Sequence, residues 1–186
     1  RYQDDKNFRL QIAVVDRGDA GKNRSARVDD WTFDKDRNAT GATMTLGRNL
    51  GKGVPNDDVS YPISSTLDPT NSAKVGAAKI AHEFGHLDDL RSLGTKFYEQ
   101  QQIYNAIAGR LNELGRQNRL GEVTTDATYR NLNEDFQKKF GATQIQEGIN
   151  RDNRAEKNAI PTIRQIFGNS LSRKTERAMA KLEGDK

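Results

Sequence analysis

The chain has 186 residues and no cysteine. Disulfides are excluded, and so is any metal site built on thiolates, so a metal here must be held by nitrogen and oxygen. A chain without cysteine suits the cytosol and export equally. Apolar residues make up 33% and aromatics 7%, with a mean hydropathy of −0.91. The core is therefore modest, and much of the chain is expected in polar helices and loops. No apolar run approaches the ~20 residues of a membrane-spanning helix, and no signal-peptide pattern is visible. The chain starts at Arg1 rather than Met, as expected if a leader or upstream domains have been removed. Thirty Lys and Arg face 26 Asp and Glu, for a net charge of +4. The two signs are interleaved, with no basic block and no patch of aromatics among cations. That is the pattern of a solvated mixed surface, not of a nucleic-acid binder. The length predicts a single domain over 1–186, with a helical insertion over 95–150.

Histidine is also scarce, and both histidines of the chain lie in residues 78–90, as His82 and His86 of a His-Glu-x-x-His sequence completed by Glu83. Positions i and i+4 of a helix share one face, one turn apart, so two imidazoles at that spacing can hold one metal ion. The adjacent glutamate can then reach a water on that metal. A chance match is expected in about one chain of this size in a few hundred. The competing reading is a helix with two incidental histidines and a surface glutamate. The concentration of both histidines in the motif, and flanking residues that read as a packed helix, count against it.

Residues 8–16 alternate, with Phe8, Leu10, Ile12 and Val14 on the face expected to be buried. A loop is predicted over 18–30, a second strand from Trp31 and Phe33, and a third over 42–46 carrying Ala42, Met44 and Leu46. The segment 48–69 is irregular and could wall a cleft. The motif helix is predicted to start near 70–72, where Thr70, Asn71 and Ser72 offer cap oxygens, and to stop at Gly94. Its small residues, Gly76, Ala77, Ala78 and Ala81, allow close packing. Polar-backed helices follow over 97–114 and 125–140, each stopped by glycine, and a last amphipathic helix ends at Gly184.

The helix expected over 152–167 carries Glu156 on the same stripe as Ile160, Ile163 and Phe167. A carboxylate on an apolar stripe is expensive unless it is paired or bound to metal. The alternative is a first-turn acid that favours the helix dipole. Pro161 is expected to bend this helix or to end its first turn. For a third metal ligand the candidates rank as Glu156, then Asp89, one turn beyond His86 and equally able to orient an imidazole, then Glu99.

At His82-Glu83-Phe84-Gly85-His86 the chain resembles the zincin metallopeptidases. Zincins that add a third histidine six residues on would need it at position 92, which is Ser92. The gluzincin branch instead takes a glutamate from a later helix. The run from Glu156 to Gly168, with Arg164-Gln165-Ile166-Phe167-Gly168 at its end, is similar to that helix; an insertion accounts for the long interval. The resemblance covers two short motifs and the order strand, then helix. Small bacterial effector and toxin metallopeptidase domains are similar in size. The resemblance implies an α+β, zincin-like fold: a small mixed or antiparallel sheet on the active-site helix, and a mostly helical C-terminal half. It implies one Zn²⁺ on His82, His86 and Glu156, with Glu83 as general base in hydrolysis of a peptide bond through a metal-bound water. Tyr129 or Arg164 would serve as oxyanion donor. The strand over 42–46 would be the edge to which an extended polypeptide adds. The implied partners are a polypeptide substrate and a cognate inhibitor or immunity protein, with neither nucleic acid nor membrane insertion. A secreted or delivered effector is the expected setting, ahead of cytoplasmic housekeeping. The alternative function is a non-catalytic zincin-like interaction or sensor module, against which the intact Glu83 argues.

Overall fold

A computed structural model describes residues 6–15, 26–47, 50–51 and 61–184. Within them the fold is α+β and mostly helical: strands β1 (Arg9–Val15), β2 (Ala26–Phe33) and β3 (Ala39–Gly47), then helices α1 (Ser72–Ser92), α2 (Thr95–Arg116), α3 (Ala127–Phe140), α4 (Gln144–Phe167) and α5 (Arg173–Gly184). The sheet is mixed, in the order β1-β3-β2. β1 runs parallel to β3 and β2 antiparallel to it. Residues 18–25 of the predicted loop and half of the irregular segment over 48–69 lie outside the described residues; residues 26–30, expected as loop, belong to β2, which starts at Ala26 and not at Trp31.

Helix α1 is the centre of the packing. It starts at Asn71, whose side chain accepts the Lys74 amide at 3.2 Å, which satisfies one of the orphan donors of the first turn. One side of it, through Ile80, Phe84 and Leu87, packs on Phe8, Ala42 and Met44 of the sheet. Another side, through Val75, Ala78 and Ala81, packs on Ala159, Ile160 and Ile163 of α4, with Met179 and Leu182 of α5 behind them. Ile103, Ile107 and Phe136 of α2 and α3 form a further cluster of their own.

Further expectations are corrected here. Ile12 and Val14 are 55% and 81% exposed, although Phe8 on the same strand face is buried. β1 is an outer strand, and α1 lies across β3, where Met44 beside Ile12 is wholly buried. β3 is the central strand, with both edges taken by β1 and β2, so it has no edge to offer a substrate strand. Helix α4 begins at Gln144, two turns before the predicted start, with Thr143 accepting the Gln146 amide as N-cap. It also runs through Pro161, which is exposed. No helix among the described residues is long and apolar enough to cross a membrane.

Candidate metal centre

Helix α4 lies so close to α1 that a Cβ added to Gly85 would stand 2.1 Å from the carbonyl oxygen of Ala155. Only glycine permits this backbone approach. Two further contacts fix the register. The Asn158 side-chain amide donates to the Gly85 carbonyl at 3.2 Å, and Arg154 Nε donates to Asp89 Oδ1 at 2.7 Å. Arg154 also donates to Glu147 at 2.8 Å, so Asp89 belongs to an ion-paired cluster that ties the C-terminal end of α1 to α4.

In that register Asp152 of α4 comes to the histidine pair. Its Oδ1 lies 3.3 Å from His86 Nε2. The imidazoles of His82 and His86 meet edge to face, with centroids 4.6 Å apart. One ligand atom from each of His82, His86 and Asp152 falls within 4.8 Å of the others. His82 is 4% exposed, and neither of its ring nitrogens has a hydrogen-bond partner among the described residues. Burial, then the neighbouring His86, holds the His82 imidazole pKa well below its ordinary value, so it is neutral and its lone pair is available. Buried polar atoms are ordinarily partnered. A divalent cation would take the lone pair of one of these two nitrogens, beside a second imidazole and a carboxylate. The donor set, two nitrogens and one oxygen, suits zinc and leaves a position for a further ligand. Glu83, next to His82, is also buried.

Glu156, the carboxylate the sequence points to, is placed differently. It is fully buried on the stripe with Ile160, Ile163 and Phe167, as its spacing predicts. But its oxygens are used elsewhere: Oε2 accepts the Ile63 amide at 2.5 Å and Oε1 the Ser64 amide at 2.9 Å. Burial pushes its pKa up to about 7 despite these bonds. It is not among the three residues whose donors converge. Asp152, one helical turn earlier, is. A helix begun at Asp152 would spend that carboxylate on its own N-terminus. The true start at Gln144 puts Asp152 in mid-helix, on the face turned to α1. The cap signal at Thr143 was the cue that could have revealed it.

The remaining candidates are not brought to the centre. Asp89 is committed to Arg154, and Glu99 is exposed on α2. Tyr129 packs in the cluster formed by α2 and α3. Arg164 binds Glu183 of α5 through both terminal nitrogens, at 3.1 and 3.2 Å, about 18 Å along α4 from Asp152 at the usual helical rise. Neither is placed to act as oxyanion donor. An open cleft of 1460 Å³ lies between Leu10 and Ile12 of β1, Ala81, Phe84 and Asp88 of α1, and Thr162. At 100° per residue those α1 positions are on the far side of the helix from His82 and His86, so the cleft is separate from the centre. Tyr61 is an aromatic neighbour of His82, with ring centroids 5.2 Å apart.

In comparisons with known proteins, no family model, no curated protein and no solved structure matches the chain.

Proposed function

We propose that the chain is a zinc-dependent endopeptidase of the zincin type, with one Zn²⁺ held by His82, His86 and Asp152 and with Glu83 as general base. The observation that carries this reading is the convergence of three ligand atoms within 4.8 Å around a buried imidazole with two unpartnered nitrogens. Asp152 takes the role that the sequence gives to Glu156; an acid from a later helix still completes the set. Zinc supplies Lewis acidity, polarising a carbonyl oxygen and making water nucleophilic near neutral pH.

The protein's own groups do the rest. His82 and His86 enter as neutral imidazoles, and for His82 burial secures that state. Asp152 contributes negative charge to the centre, its Oδ1 lying 3.3 Å from His86 Nε2. Glu83 accepts a proton from the attacking water and passes it to the leaving nitrogen. The substrate class is a polypeptide. The setting this reading favours is an exported or delivered effector or toxin countered by an inhibitor protein, for which growth inhibition on expression, relieved by Glu83→Gln, is the check.

The deciding experiment measures zinc content and peptide-bond cleavage in the wild type, Glu83→Gln and Asp152→Asn. Glu83→Gln should keep zinc and lose cleavage. Asp152→Asn should lose zinc affinity by more than about a hundredfold, since even groups that only orient ligands are worth 10–100-fold. A wild type that binds no zinc sinks the reading. One that binds zinc but cleaves nothing in a proteome-wide digest is an interaction or sensor module instead.

A further inference from the structure

We infer that the Tyr61 ring, by packing alone, holds the His82 imidazole in a fixed orientation, and that Glu156 is the positioning residue that keeps Tyr61 there through the turn of residues 61–66. The inference rests on the metal-centre reading above. A histidine that binds metal through one nitrogen is ordinarily oriented by a hydrogen bond from the other. His82 has no such bond, since both of its ring nitrogens are without a hydrogen-bond partner among the described residues. Its orientation must come from packing. Two rings lie on it: His86, edge to face at 4.6 Å, and Tyr61, at 5.2 Å and tilted by 48°. His86 is on the same helix and is itself a proposed ligand, so Tyr61 is the ring that reaches His82 from another element. Burial agrees with this. His82 is buried, whereas His86 and Asp152 are half-buried, so the centre is closed around His82 and open at the other two groups.

The backbone of Tyr61 is held by the turn it begins. Its carbonyl accepts the Ser65 amide at 2.9 Å, which closes the turn on itself. The turn is fastened to the rest of the protein at two points. Glu156 of α4 takes the amides of Ile63 and Ser64, one on each oxygen. At the other end, Thr175 of α5 donates to the Thr66 carbonyl at 3.1 Å. A carboxylate with no exposure is costly to keep in an apolar core, and charge-assisted bonds to backbone amides are what offset that cost. Here both bonds go to one short turn, whose first residue is the tyrosine. Asp152 and Glu156 are one turn apart on α4. The helix that brings an acid to the histidines therefore also fastens the segment that steadies one of them. Glu156 acquires a part in the centre without a bond to the metal.

The test uses the full chain, first without metal and then loaded with Co²⁺, whose visible absorption reports both occupancy and ligand set. Without metal, the ring current of Tyr61 displaces the NMR signals of the His82 ring protons, and Tyr61→Leu gives the size of that displacement. Glu156→Gln, whose carboxamide has one acceptor oxygen for two amides, should reduce it. With Co²⁺, Tyr61→Leu and Glu156→Gln should keep the wild-type spectrum yet bind the metal about tenfold more weakly, the lower end of what groups that orient metal ligands are worth. Tyr61→Phe keeps the ring and should match the wild type. Unchanged Co²⁺ affinity in Tyr61→Leu overturns the inference, as does a loss in Tyr61→Phe as large as that in Tyr61→Leu, which would assign the effect to the hydroxyl. A wild-type His82 displacement in Glu156→Gln overturns it too, and so does an altered Co²⁺ spectrum in that variant, which would make Glu156 a ligand. Should Glu156→Gln fail to fold, Thr175→Val, which frees the turn at its other fastening, carries the same expectations. A wild type that takes up no Co²⁺ overturns both the metal centre and this inference. Co²⁺ uptake without cleavage of any peptide overturns the peptidase reading alone.

Discussion

Gly85 and Ala155 form the point at which α1 and α4 touch backbone to backbone: a Cβ on Gly85 would fall 2.1 Å from the Ala155 carbonyl oxygen. Every group at the proposed centre depends on that approach, since His82 and His86 are on one helix and Asp152 is on the other. Gly85→Ala should therefore force the helices apart. The clash is with backbone, which cannot rotate away, so the destabilisation should reach the upper part of the ~1–3 kcal/mol typical of overpacking. Urea unfolding measures it. Zinc retention should fall in the same variant, because Asp152 moves with α4.

Arg154 joins Asp89, 6% exposed, and Glu147, 7% exposed. Truncating it to alanine strands Asp89, while Glu147 keeps Arg151 at 3.6 Å; breaking a fully buried pair costs about 3–5 kcal/mol. The Arg154 side chain is itself 37% exposed, so solvent screens part of the interaction, and the expected loss is about 2 kcal/mol. Chemical denaturation of Arg154→Ala gives the value; a change below a few tenths of a kcal/mol would show that water replaces the guanidinium without penalty.

Chelation should lower the melting temperature. His82, His86 and Asp152 come together only in the folded chain, so a metal bound there stabilises by mass action, by about 2.7 kcal/mol at a hundredfold excess over Kd. Melting in the presence of zinc and then of dipicolinate tests this, with Asp152→Asn expected to show no difference between the two.

The acid limb of stability should report on Asp126. The Arg110 guanidinium first, then the Tyr129 amide, hold its carboxyl down from 3.8 to about 2. The sign follows from a depressed acid: the folded form binds the proton less well, so stability is fully present above the unfolded value and is lost as pH falls through about 2. Asn is also a good N-cap, so Asp126→Asn keeps the cap of α3 and removes only the charge. The difference in urea midpoint between wild type and this variant should be constant above pH 5 and shrink as the pH approaches 2.

The helices were legible because their signals are local. Asn71 stands where a cap was expected, and the apolar stripe of Ile160, Ile163 and Phe167 is buried as its spacing requires. β1 and β3 were legible as segments, β2 only at its end, since it starts at Ala26 inside the expected loop, and the order of the three was not legible. Whether Ile12 is covered, or β3 is an edge, depends on which neighbours the sheet acquires, and alternation along one strand contains nothing about its neighbours. The apolar stripe does not mark the start of α4; the N-cap at Thr143 sets it.

The sequence by itself determined the histidine pair: four residues apart on a helix, two imidazoles share a face whatever the rest of the chain does, and the absence of cysteine limits the donors to nitrogen and oxygen. It also determined that an acid on a later helix would be buried. Which acid meets the histidines was left to tertiary structure. Asp152 and Glu156 are separated by one helical turn, and the choice between them is set by how α4 registers against α1, through Gly85, Asn158 and Arg154, and by the two backbone amides of a distant turn that occupy Glu156. Such contacts join residues far apart in the chain, and no local pattern encodes them.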